Sequence, residues 1–187
     1  KNVLLSWYFI PEAGKSNTRL TQKDRGRGVI KFGTHSGKFR TVEKANKQAD
    51  VFISDGQGNV RIMGVVAGRG ATGYSGNKIE WKYRKLGEKK WQSLASYNFG
   101  DDIGFYPQKI DVKSNSVFGL DNDGSRDKLI KLSLDGSLTK ELVFEHPRYD
   151  VGGIRTLGQG GRPIGVSYTD EASRIEYFDK KLGKLAG

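Results

Sequence analysis

The sequence predicts an all-β chain: a β-propeller, or part of one, built from about four four-stranded blades. Short runs of β-branched and aromatic residues recur between glycine-bearing turns, and no stretch shows the 3.6-residue apolar period of an amphipathic helix. The turn glycines also keep a near-constant interval. Gly37 in Ser-Gly-Lys, Gly87 in Leu-Gly-Glu, Gly136 in Asp-Gly-Ser and Gly183 in Leu-Gly-Lys lie 50, 49 and 47 residues apart. A four-stranded unit repeating every 40–50 residues or so is the pattern of a propeller blade. The blades then span residues 1–48, 49–98, 99–146 and 147–187 of one domain. An antiparallel sandwich with evenly spaced turns is the competing architecture.

The most legible unit is a hairpin. Val51-Phe52-Ile53 and Val60-Arg61-Ile62 flank Asp55-Gly56-Gln57-Gly58-Asn59, whose residue types accept positive φ. Before it, Val3 to Ile10 is an apolar run ended by Pro11 and predicts a buried inner strand, and Glu12 to Arg27 reads as a polar loop. Gly28–Phe32 and Phe39–Val42 form a strand pair about Gly37. After a glycine-rich span from Gly64 to Gly76, Ile79, Trp81 and Tyr83 alternate with Glu80, Lys82 and Arg84, the period of a half-buried strand. Strands are expected at Lys90–Leu94, Pro107–Asp111, Val117–Leu120, Leu129–Leu134 and Leu138–Phe144, then at Gly153–Leu157, Ile164–Tyr168 and Ile175–Phe178. Lys181 to Lys184 reads as a turn, and no helix is expected anywhere.

The net charge of +11 is concentrated in the first hundred residues, which hold 19 Lys/Arg against 7 Asp/Glu; the remainder holds 13 against 14. Scattered lysines of this kind protect strand edges from unwanted pairing. A nucleic-acid face would cluster them on a recognisable motif, so nucleic acid is not the expected partner. The chain has no cysteine, hence no disulfide or thiolate chemistry, which suits cytoplasm and periplasm equally. No window is apolar over the roughly 18 residues a membrane helix needs, and no membrane partner is expected.

Chemistry-bearing motifs fail in detail. Gly68-Arg69-Gly70-Ala71-Thr72-Gly73 fits G-x-G-x-x-G, but an alternating strand follows where a phosphate-binding helix should start, and Tyr74 stands where a P-loop needs lysine. Asp121 to Asp127 resembles a calcium loop with Arg126 in place of the sixth-position glycine and Leu132 in place of the twelfth-position glutamate, so it reads as an Asx turn. Gly73-Tyr74-Ser75-Gly76-Asn77 lacks the last glycine of a nucleophile elbow. His35 and His146 lie 111 residues apart with no local zinc spacing. Lys78 to Lys85 interleaves aromatics with cations as a stacking platform for single strands would, and equally as an amphipathic strand does. No catalytic residue, cofactor or metal is therefore expected.

Several segments together resemble the propeller domain of prolyl-oligopeptidase-type serine peptidases, in the dipeptidyl and acylaminoacyl peptidase branch. They are Ser54–Arg61, Ile110–Val112 through Val117–Leu120, Leu142–Pro147 with Asp150–Gly153, and Gly165–Tyr168 to Tyr177–Asp179. The resemblance implies a non-catalytic partial propeller that filters and orients peptide substrates for an α/β-hydrolase domain of the same parent chain, its open ring completed by further blades or by another copy. The chain is accordingly expected to be part of a longer one. The alternative is a free-standing propeller scaffold that binds a protein or an anionic partner, such as nucleic acid, through its basic first half.

Overall fold

The computed structural model describes residues 2–12, 23, 25–66, 76–158 and 160–186. Among them the fold is all-β, with every strand pair antiparallel. A first sheet joins β1 (Asn2–Phe9), β2 (Gly26–Gly33) and β3 (Phe39–Asn46) in chain order. An eight-stranded meander follows. It comprises β4 (Ala49–Ser54), β5 (Val60–Val66), β6 (Lys78–Tyr83), β7 (Gln92–Asn98), β8 (Ile103–Asp111), β9 (Ser116–Asn122), β10 (Lys128–Ser133) and β11 (Lys140–Phe144). The last sheet is β12 (Val151–Leu157), β13 (Arg162–Thr169) and β14 (Ser173–Tyr177), after which comes a short helix, α1 (Lys180–Ala186).

The eight-stranded sheet is two four-stranded sheets hinged together. β7 and β8 share only the pairs Tyr97↔Gly104 and Asn98↔Ile103. Gly104 has φ +116°, and a Cβ there would sit 2.2 Å from the Ser96 carbonyl oxygen, so only glycine lets the chain cross back this tightly. Beyond the joint the halves pack face to face. Ile62, Ile79, Trp81, Tyr83 and Leu94 meet Phe105, Ile110, Val117, Ile130 and Leu132 in the largest core. Trp81 crosses this interface edge-on to Tyr106, ring centroids 5.1 Å apart.

The same logic repeats on either side. Phe118 and Leu129 pack on Val151 and Val166 of the last sheet. Ala49, Met63 and Val65, with Phe52 and Trp91, form a third core on the other face of β4–β5, where Asn46 at the end of β3 reaches the Met63 sulfur. The last three layers therefore stand face to face across two apolar seams. β5, with an apolar cluster on each face, is buried over Val60–Val65.

Three of the four recurring glycines occupy their expected turns with left-handed backbone: Gly37 at φ 65°, Gly87 at 81° and Gly136 at 113°. The strand alternation expected for Ile79, Trp81 and Tyr83 is also present, each about 1% exposed.

Two expectations are corrected. Lys181–Lys184 is helical, because Asp179 caps it: its side chain accepts the Lys181 N–H at 2.8 Å and its carbonyl the Gly183 N–H. A seven-residue helix is too short to display an apolar period. Val3–Ile10 is a strand but not a buried one. β1 is an edge strand, and Trp7 is 53% exposed and Ile10 71%.

The hinge carries a titratable lock. The Tyr97 hydroxyl donates to Asp102, and Tyr97 also packs edge-on against Phe99 and Tyr106. That hydrogen bond, with partial burial, pushes the Tyr97 phenol up to about 12. An unfolded tyrosine ionises near 10. The folded state therefore holds this proton more tightly, and the stability it contributes is complete below about pH 10 and is lost as pH rises towards 12. Urea unfolding across pH 9–12 should show this decline, and Tyr97→Phe should flatten it.

Candidate functional site at the converging turns

In a chain of antiparallel hairpins, alternate connections fall at the same end of the strands. The β4–β5, β8–β9 and β12–β13 turns meet at one such end. A Cβ on Gly56 would lie 3.6 Å from the Gly160 carbonyl oxygen, although an entire four-stranded layer intervenes in sequence. Lys109 of β8 reaches Gly161 of the third turn, where a Cβ would be 2.5 Å from its Nζ, and Lys31 of β2 approaches Gly58 of the first. These turns of successive layers thus come together at one end. The first strands of the later layers are in contact, β4 with β8 and β8 with β12, and β2 touches β4.

Each turn is built to hold its shape without external support. Asp55, about 1% exposed, accepts hydrogen bonds from the Gln57 N–H at 2.8 Å, the Asn59 N–H at 3.1 Å and the Asn59 side-chain amide at 2.7 Å. Asp111 repeats the device in the next layer, taking both the backbone N–H and the hydroxyl of Ser114. The third turn uses glycine instead, Gly158 at φ 77° and Gly161 at φ 60°.

Beside the first turn lies an arginine pair that sequence reasoning did not single out. Arg61, about 2% exposed, donates from Nε to the Arg84 carbonyl at 2.8 Å and from Nη2 to the Asn115 side chain at 2.9 Å, tying the second layer to the third. Burial lowers its pKa, Asp55 opposes this, and Arg84 adds to it. Arg84 donates from Nε to the Val60 carbonyl at 2.7 Å, pairs with Glu43 of β3, and stacks over Trp91 at 4.4 Å. The sequence predicts a strand at Val60-Arg61-Ile62 but gives no sign that Arg61 is buried in it, since an arginine in a strand ordinarily faces water.

The residues weighed for chemistry are employed structurally. His146 lies between the rings of Tyr149 and Tyr168, 4.9 and 4.6 Å away, and its Nδ1 accepts the backbone N–H groups of Arg148 and Tyr149. His35 sits in the exposed β2–β3 turn. In the Asp121–Asp127 turn, Asp123 binds Ser125 and Lys128, which hold its carboxyl near 2, while Asn122 caps Gly124 and reaches Asp127. Burial raises Asp127. Among the described residues no group of three His, Cys, Asp or Glu side chains could hold a metal, and no helix is long and apolar enough to cross a membrane. Gly68–Gly73 and Ser75 lie outside the described residues.

Charge is sorted by strand end as well as by chain half. The connections 99–102, 123–127, 145–150 and 170–172, at the end opposite the converging turns, hold eight carboxylates against Arg126 and Arg148. They are mutually close: the Asp127 N–H donates to Asp150 at 3.0 Å, and the Val151 N–H to the Asp127 carbonyl. At the converging end, connection 84–91 alone carries four cations against Glu88. Compared with known protein families, curated proteins and solved structures, the chain matches none.

Removing the buried Asp55 carboxylate deletes three hydrogen bonds within the turn, each worth about 1 kcal/mol. Asp55→Ala should therefore destabilise by about 2–3 kcal/mol in urea unfolding, whereas Asp111→Ala, in a solvated turn, should cost under about 1 kcal/mol.

Proposed function

We propose that this chain is a portion of a β-propeller that filters and orients peptide substrates for a hydrolase domain in the manner of prolyl-oligopeptidase-type peptidases. It does no catalysis itself. The observation that supports the propeller reading is the contact of β4, β8 and β12, the first strands of successive layers, as a fan from a shared edge would bring about. Aligning the layers by their left-handed turn glycines makes β1–β3 the last three strands of one blade, β4–β7 and β8–β11 complete blades, and β12–β14 the first three strands of another. The two-pair joint between β7 and β8 is then a crossing between blades rather than a hairpin.

In this reading the converging turns form the narrow mouth. Rigid Asx turns and glycine backbone leave little side-chain bulk there, and Lys31 and Lys109 supply positive charge able to meet a peptide carboxylate. The apolar residues exposed on β1 and on Leu157 and Ile175 of the last sheet are the faces that neighbouring blades, or another copy of the chain, would cover.

The reading frame of the parent protein tests this. An in-frame segment carrying G-x-S-x-G outside these residues is the expected result, and a complete frame without one would overturn the peptidase assignment.

A further inference from the structure

A groove of about 1250 Å³ runs between β3 and the layer formed by β4–β7. Its exposed cations come from both walls. Arg40 and Lys44 project from β3 with Lys47 just beyond it, and Lys85 and Lys89 lie on the β6–β7 connection. Two carboxylates face them. Glu43 is already paired with Arg84, and Glu88 alone remains. Among the described residues, Arg40, Lys44, Lys47, Lys85 and Lys89 meet no carboxylate at ion-pair distance. Lysines that merely guard an edge would sit on that edge alone. Here cations from both walls face one channel, and among the described residues Glu88 is the one unpaired carboxylate lining it.

The shape selects among anions. β3 is the free outer strand of its sheet, with β2 as its neighbour, so its outward backbone N–H and carbonyl groups border the groove without a strand partner among the described residues. An extended polypeptide satisfies such an edge. Single-stranded nucleic acid needs open aromatic faces for its bases, and the aromatics here are occupied: Trp91 lies under the Arg84 guanidinium, and Phe52 packs into the third core.

We propose that this groove binds an extended acidic peptide segment of a partner protein, laid alongside β3 with its carboxylates against Lys44 and Lys89 on opposite walls. The inference asks nothing of a hydrolase domain and stands apart from the peptide-filter reading. Fluorescence anisotropy with a dye-labelled oligoglutamate peptide tests it, with labelled oligothymidylate and oligolysine as comparisons. Oligoglutamate should bind, more weakly as salt rises, and Lys44→Glu combined with Lys89→Glu should weaken binding by about tenfold. Lys113→Glu, in the exposed β8–β9 turn, should leave it unchanged. All three substituted lysines are exposed, so these variants should keep the fold. Absence of oligoglutamate binding at low salt, indifference to the groove substitutions, an equal loss with Lys113→Glu, or tighter binding of oligothymidylate through the same lysines would each overturn the proposal.

Discussion

An antiparallel sheet can usually leave one face to water, but β4–β7 and β8–β11 cannot. Both carry apolar residues on both faces, so each needs a neighbour on either side. Met63 and Val65 turn one way while Ile62 turns the other; Phe118 and Leu129 face the last sheet while Val117 and Ile130 face Trp81. This two-sided demand stacks the layers and leaves the outer sheets short of cover. The first strands of the later layers touch one another, β4 with β8 and β8 with β12. The buried Arg61 fits the same constraint. Its guanidinium spans the seam between two layers, and packing at the seam offers it carbonyl and amide partners in place of water.

Much of the fold was legible because it follows from local chemistry. The two-residue period at Ile79, Trp81 and Tyr83, and the Asp-Gly-Gln-Gly-Asn turn, dictate their structures wherever they occur. What failed depends on neighbours. Val3 to Ile10 is as apolar as a buried strand, yet it lies at a sheet edge, where among the described residues Trp7 and Ile10 stay exposed. The helix after Tyr177 depends on one cap, Asp179, whose role no periodicity over seven residues could announce. The near-constant spacing of Gly37, Gly87 and Gly136 was informative because three separate turns need positive φ at the same place in the hairpin; Gly183 kept the interval without the conformation.

The candidate sites were less visible, for a related reason. Sequence composition assigns the basic excess to the first half of the chain, yet the topology distributes charge by strand end and by groove. Arg40, Lys44 and Lys89 are distant in sequence, and only the packing of β3 against the second layer brings them to one channel. His146, the most suggestive single residue, proves to be an aromatic and hydrogen-bonding brace for the connection into β12.

The convergence of the turns is the central claim, and a chain without cysteine makes it directly measurable. Nitroxide labels on Gln57→Cys and Gly160→Cys, both exposed, would report the separation of the first and third turns by electron paramagnetic resonance. The fan expects strong dipolar broadening at this pair, since the two backbones nearly touch. Spectra equal to the sum of the two single-label spectra would mean that the layers stack in line without converging, and the propeller reading would fall with them.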